Sequence, residues 1–223
     1  MELILSTEEV RVLGALMEKH MTTPEYYPMT PNALKNACNQ KSNRYPIVEF
    51  DEDVVRGIID SLRRKNMLML VTGAGSRARK YEHRMKEVFF LSKKEAAAMA
   101  VLMLRGPQTI GEIRGRTERM TDFEDLTDVE NTLNELMREN RNPKPLVMQL
   151  PVFPGQKEHR FVHLLCGEPD VDKLTADAAA FSSASVVKIG KSKITELEEK
   201  VDTLSQELDA LKAQFEEFKK QFD

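Results

Sequence analysis

The sequence contains no tryptophan and only two cysteines. Cys38 and Cys166 stand far apart, and neither has a partner at metal-ligand spacing, so neither a disulfide framework nor a zinc site is indicated. A long apolar run is also missing. The longest clean one, "AAAMAVLML" from Ala96 to Leu104, falls well short of the roughly 20 residues that a bilayer span requires. The opening "MELILSTEEV" has no basic stretch followed by an apolar core, so no secretory signal is read there. No P-loop and no G-x-S-x-G occurs. "GAGSR" at Gly73 resembles a glycine loop, but the third glycine and the surrounding strand–helix unit are absent. His159 and His163 are four apart, but they fall in a predicted strand with no carboxylate or thiol arranged for metal. Together these absences argue against an enzyme, a metal or cofactor site and a membrane protein. The cytoplasm is the expected compartment.

The 223 residues are enough for one large domain or two small ones. Hydrophobic residues make up an ordinary 41%, whereas charged residues reach 31%, which suggests a helix-rich protein with small cores. The net charge of −3 gives no global attraction to nucleic acid. The charge is unevenly placed, however. Residues 30–90 carry an excess of about five positive charges, residues 91–166 balance, and residues 167–223 are acidic by about five. An anionic partner is therefore expected to meet the first third of the chain.

The chain repeats itself. "LSTEEVRVLGALMEK" from Leu5 and "LSKKEAAAMAVLMLRG" from Leu91 both open with Leu-Ser and continue with apolar positions at helical spacing. Ser6 with Glu9 and Ser92 with Glu95 fit the capping box. Further on, Val55, Ile59, Leu62, Arg64 and Asn66 match Val129, Leu133, Leu136, Arg138 and Asn140. "TPNALKNACN" and "TIGEIRGRTE" lie between these helices. A β-like pair then follows each copy: "MLMLVT" and "KYEHRMKEVFFL" around "GAGSRAR", and "PLVMQLP" and "EHRFVHLL" around "VFPGQK". Helix, helix, helix, hairpin is the order of a winged helix. The first copy also inserts "MTTPEYYPMTP", whose prolines imply an extended, rigid loop.

The expected fold is therefore mainly α with small β-hairpins (α+β): two tandem winged-helix domains followed by a C-terminal coiled-coil helix. The boundaries read as 1–90, 91–166, a linker over 167–190, and the helix over 191–223. In that last segment Ile194, Val201, Leu208, Phe215 and Phe222 occupy heptad a positions. Leu197, Leu204, Leu211 and Phe218 occupy d positions. So narrow a stripe implies either a homodimer through this helix or docking back onto the body of the chain.

In a winged helix the third helix enters the major groove and the hairpin reaches backbone phosphate. Stepping 100° per residue from a buried Val55 places Ile58, Ile59 and Leu62 inward. Asp53, Gly57, Asp60 and Arg64 then face out, with Arg56 at their edge. The two carboxylates disfavour a groove reader. The hairpin string "SRARKY" offers Arg77, Arg79 and Lys80 for phosphate, with Lys41 and Arg44 as additions. These five, with Arg56 and Arg64, are the candidate nucleic-acid contacts, and double-stranded DNA is the candidate ligand. The second copy exposes Asn131, Asn134, Glu135 and Arg138, while its hairpin sets Lys157 and Arg160 against Glu158. For each of these residues a plain solvated surface is the simpler alternative.

"EEVRVLGALMEK", "TTPEYYPMTPNALKNACNQKSNR", "LRGPQTIGEIRGRTERM" and "PGQKEHRFVHLLCG" resemble the bacterial YceH-like proteins over about residues 3–168. The resemblance implies a tandem winged-helix fold and supplies no catalytic residues. It also implies an arginine ahead of the second Pro-Gly turn, where this chain has Val152 and Phe153. Two functions stay open. One is a dimeric DNA-binding, regulator-like protein. The other is a protein–protein scaffold that uses the same surfaces without DNA, since a fold does not fix a function.

Overall fold

The computed structural model describes residues 3–71, 78–152 and 156–170. Apart from Asp170, these belong to one compact unit. The fold is mixed α+β, with seven helices and two small antiparallel sheets of two strands among the described residues. The heptad residues Ile194, Leu197, Val201, Leu204, Leu208, Leu211, Phe215 and Phe218 lie outside the described residues, as does Arg77.

The first copy consists of α1 (Thr7–Thr22), α2 (Pro31–Cys38), α3 (Glu52–Arg64), β1 (Leu68–Val71) and β2 (Lys80–His83), followed by the short α4 (Met85–Phe89). The second consists of α5 (Lys93–Arg105), α6 (Ile110–Thr117), α7 (Leu126–Met137), β3 (Val147–Gln149) and β4 (Phe161–His163). Both expected capping boxes are present. Ser6 accepts from Glu9 N–H and Ser92 from Glu95 N–H, and each glutamate returns to its cap's backbone. A third box joins Thr109 and Glu112 at the start of α6. Each box satisfies two of the backbone donors left unpaired at a helix start.

The duplication extends to details that the sequence does not display. Met29, just before the α2 cap Thr30, pairs with Tyr81 of β2 through two backbone hydrogen bonds of 3.1 and 2.8 Å. Gln108, just before the α6 cap Thr109, pairs identically with Phe161 of β4 at 3.0 and 2.8 Å. Each hairpin thus gains a third, minimal strand from the segment between the first and second helices.

The buried glutamates repeat as well. Lys65, at the end of α3, reaches Glu9 at 2.6 Å and the carbonyl of Ile4 at 2.9 Å. Arg141, beyond α7, reaches Glu95 at 2.6 Å and the carbonyl of Phe89 at 3.2 Å. Each cation therefore ties the far end of a third helix to the start of the first. Burial pushes both carboxyls up, but the hydrogen bonds from these cations and from the caps outweigh it and hold them below the ordinary range.

One continuous core cluster runs through both copies. Every residue of α1 from Glu9 to Met17 is buried, and so is every residue of α5 from Glu95 to Leu104. A helix covered on all sides belongs at the centre of its domain. Gly14 permits the close approach of these helices: a β-carbon there would lie 3.0 Å from Leu104 Cγ and 3.1 Å from Met103 Cβ. The seam is also stitched by backbone, with Leu5 N–H donating to Leu165 O and Tyr45 N–H to Leu104 O, both at 2.8 Å.

Two local expectations differ from the structure. "KYEHRMKEVFFL" is not one strand, because β2 stops at His83 and α4 begins at Met85. Met85 and Phe89, one helical turn apart, are both fully buried. The proline-rich insert is not extended throughout either, since Pro24–Tyr26 forms a 3₁₀ turn.

Candidate nucleic-acid interface

Helix α3 is positioned by Val55, Ile59 and Leu62, which are buried in the core. Asp53, Arg56, Gly57, Asp60 and Arg64 are exposed, as stepping along the helix anticipates. Much of this charge is spent locally. Arg56 pairs with Glu52 at 2.5 Å, and Arg63 lies 3.6 Å from Asp60. Arg56 is therefore engaged within its own helix. Arg64 makes no ion pair or hydrogen bond among the described residues and stays open to solvent.

On the hairpin, Arg79 and Lys80 are exposed and likewise carry no such partner among the described residues. The hairpin is anchored at its other end. Tyr27 Oη, from the insert, accepts a hydrogen bond from His83 N–H at 2.7 Å. The Tyr27 ring stacks on His20 with centroids 4.4 Å apart. His83 Nδ1 accepts from Met85 N–H at 3.3 Å, which leaves its Nε2–H to donate to His20 Nδ1 at 3.0 Å. Burial, aided by the charges of His20 and Lys86, pushes His83 down to about 3, so this imidazole is neutral. The insert thus fastens the end of α1 to the base of the hairpin.

Arg44 is a correction. Its side chain has no exposed surface. It donates to both oxygens of Glu18, at 3.1 and 2.6 Å, to Ala37 O at 3.1 and 3.0 Å, and to Gln40 Oε1 at 2.9 Å. A guanidinium so committed has no donor to offer phosphate, and Arg44 leaves the contact set. Arg11 is buried beside it and donates to Pro46 O at 2.5 Å. Asn39 exchanges two hydrogen bonds with the backbone of Phe50, at 2.7 and 2.9 Å. The polar turn "NQKSNRYP" is therefore largely a joint. It closes on α1, on the start of α3 and, through Tyr45, on the second copy.

Lys41 is the exception in that turn. It is exposed, makes no ion pair or hydrogen bond among the described residues, and lines a cleft of about 540 Å³. The opposite wall is the end of α6, with Arg116 and Arg119. Sequence reading missed this juxtaposition. The string "IRGRTERM" was the available signal, but the balanced charge of its region concealed it. In the second hairpin, Arg160 is held by Glu112 at 2.7 Å and by Pro107 O at 2.9 Å, while Lys157 and Glu158 are exposed. Asn131, Asn134 and Glu135 on α7, and Arg138 at its C-terminal cap, all face solvent.

Among the described residues no group of three His, Cys, Asp or Glu is placed to hold a metal, and no helix is long and apolar enough to cross a membrane.

A family model described as "Protein of unknown function, DUF480" matches residues 5–156. The chain belongs to the DUF480 family. It is similar to a UPF0502 protein of Citrifermentans bemidjiense, 48% identical over 201 residues and covering 90% of each chain. A UPF0502 protein of Solibacter usitatus is 49% identical over 197 residues, or 88% of this chain and 91% of that one. One from Opitutus terrae reaches 52% over 168 residues, or 75% and 72%. The DUF480 match ends at residue 156, so the heptad segment lies beyond it.

Proposed function

We propose that the chain is a tandem winged-helix protein that binds nucleic acid without catalysing a reaction, using the first hairpin to contact backbone phosphate. The observation that carries this reading is the exposure of Arg79 and Lys80 on a hairpin that follows a third helix, with no acidic partner among the described residues. Arg64 and Lys41 extend the basic surface. Hairpin residues of this kind bind backbone without reading sequence. The third helix is a weak reader, because Asp53 and Asp60 stand on its outward face. Affinity then rests on phosphate contacts more than on base contacts.

The winged-helix assignment is supported by the order of elements in each copy together with the minimal third strand at Met29 and at Gln108. The heptads from Ile194 to Phe222 support a homodimer that sets two such units side by side.

A second reading is favoured by one observation. Val54 on α3 is 43% exposed beside ion pairs that neutralise that helix face, and Met69 on β1 is 49% exposed. Such a surface suits a protein partner. Fluorescence anisotropy with a short random-sequence duplex separates the two readings. Duplex binding that weakens in the double variant R79A/K80A supports the first, and no duplex binding by the full chain at moderate salt supports the second.

A further inference from the structure

A cleft lies between the two copies. One wall comes from the C-terminal end of α1 and the turn after α2, and the other from the end of α6. Four cations line it: Lys19, Lys41, Arg116 and Arg119. The single carboxylate on its lining, Glu18, is already engaged by Arg44 at 2.6 Å, with Lys19 at 3.8 Å. Arg116 is only loosely held, 3.5 Å from a Glu112 that also binds Arg160. Lys41 and Arg119 make no ion pair or hydrogen bond among the described residues. Arg105 stands behind this group, where burial and the charges of Arg116 and Arg44 depress its pKa.

We propose that this cleft binds a small, compact, multiply charged oligophosphate. Its volume of about 540 Å³ lies within the range of small-molecule pockets. Gln40 and Ser42 add neutral hydrogen-bonding groups to the lining. The described lining holds no aromatic ring, and Met120 is its one large apolar side chain. The site therefore lacks a platform for stacking a base and recognises phosphate oxygens alone. Because the walls come from different copies, the ligand bridges them and stiffens the seam between them. Of the residues proposed to contact duplex, Lys41 lines the cleft while Arg79 and Lys80 do not, so R79A/K80A tests the hairpin apart from the cleft.

Inorganic pyrophosphate is the probe, titrated calorimetrically into the full chain at physiological ionic strength. The variant K41A/R119A removes two cations that hold nothing else in place, so its melting temperature should match the parent. The expected result is saturable binding that K41A/R119A weakens by about tenfold or more, as for two lost charge-assisted contacts, and that R79A/K80A leaves unchanged. Failure of the full chain to bind pyrophosphate overturns the proposal, and so does equal affinity in K41A/R119A. If K41A/R119A weakens duplex binding while pyrophosphate does not bind, the cleft is a track for nucleic-acid backbone and the proposal is also overturned. If pyrophosphate binds as expected but duplex does not, the cleft stands and the hairpin reading falls.

Discussion

Arg44 Nη2 lies 2.6 Å from Glu18 Oε2, and the arginine side chain is wholly enclosed. The pair locks the turn after α2 against the end of α1. Removing one member of a buried, hydrogen-bonded ion pair costs about 3–5 kcal/mol, because the other charge stays buried without its partner. R44A should therefore lower the urea midpoint sharply, while K41A, three residues away on the surface, should stay within about 0.5 kcal/mol of the parent. Comparable midpoints for the two variants would contradict the structural role given to Arg44.

His83 sets the expected pH dependence. Burial first, then the charges of His20 and Lys86, hold its folded pKa at about 3, well below that of an unfolded histidine. The unfolded chain then binds the extra proton between these two values, so stability falls as pH drops below about 6.5. His163, pushed down to about 4 by burial, acts in the same direction. Glu9 and Glu95 are lowered as well, and their contribution is lost only at more acidic pH, as their carboxyls protonate. Lowering the pH by one unit below about 6.5 should cost about 1 kcal/mol per buried histidine. Urea titrations across that range check this, and H83Q should show a shallower dependence.

Gly14 tests the shared core. A β-carbon there already lies at 3.0–3.1 Å from Leu104 and Met103, so a large side chain forces α1 and α5 apart. G14L should destabilise by about 1–3 kcal/mol or more, as overpacking does. Gly57 on α3 has nothing within 4 Å of its would-be β-carbon, so G57A should be neutral or stabilising by up to about 1 kcal/mol. Thermal melts should fall for G14L and stay level or rise for G57A.

Much of this arrangement was legible beforehand, and the reasons are local. Ser6, Glu9, Ser92 and Glu95 show their capping role by spacing alone, and Val55, Ile59 and Leu62 show their inward face by period. Arg44 was not legible, because nothing near it in sequence says that the turn folds back on Glu18, 26 positions away. The matching roles of Lys65 and Arg141 were hidden because the two residues differ in type and in distance from their helix ends. Lys41 and Arg119 come together only through the packing of one copy on the other. The α4 helix was missed because apolar residues in "MKEVFF" also fit a strand.

The heptads make a prediction about assembly. The mass in solution of the full chain should be that of a dimer, and a version ending at Gly190 should be a monomer, since Ile194 through Phe218 are then absent. Equal subunit counts in the two would remove the pairing role of the tail.

The most direct test of the central claim is the salt dependence of duplex binding. For the full chain, the logarithm of the binding constant should fall linearly with the logarithm of salt concentration. Each lost phosphate contact reduces that slope by about 0.9, so R79A/K80A should flatten it by about two. An unchanged slope in R79A/K80A, or no measurable duplex binding by the full chain at low salt, would contradict the account.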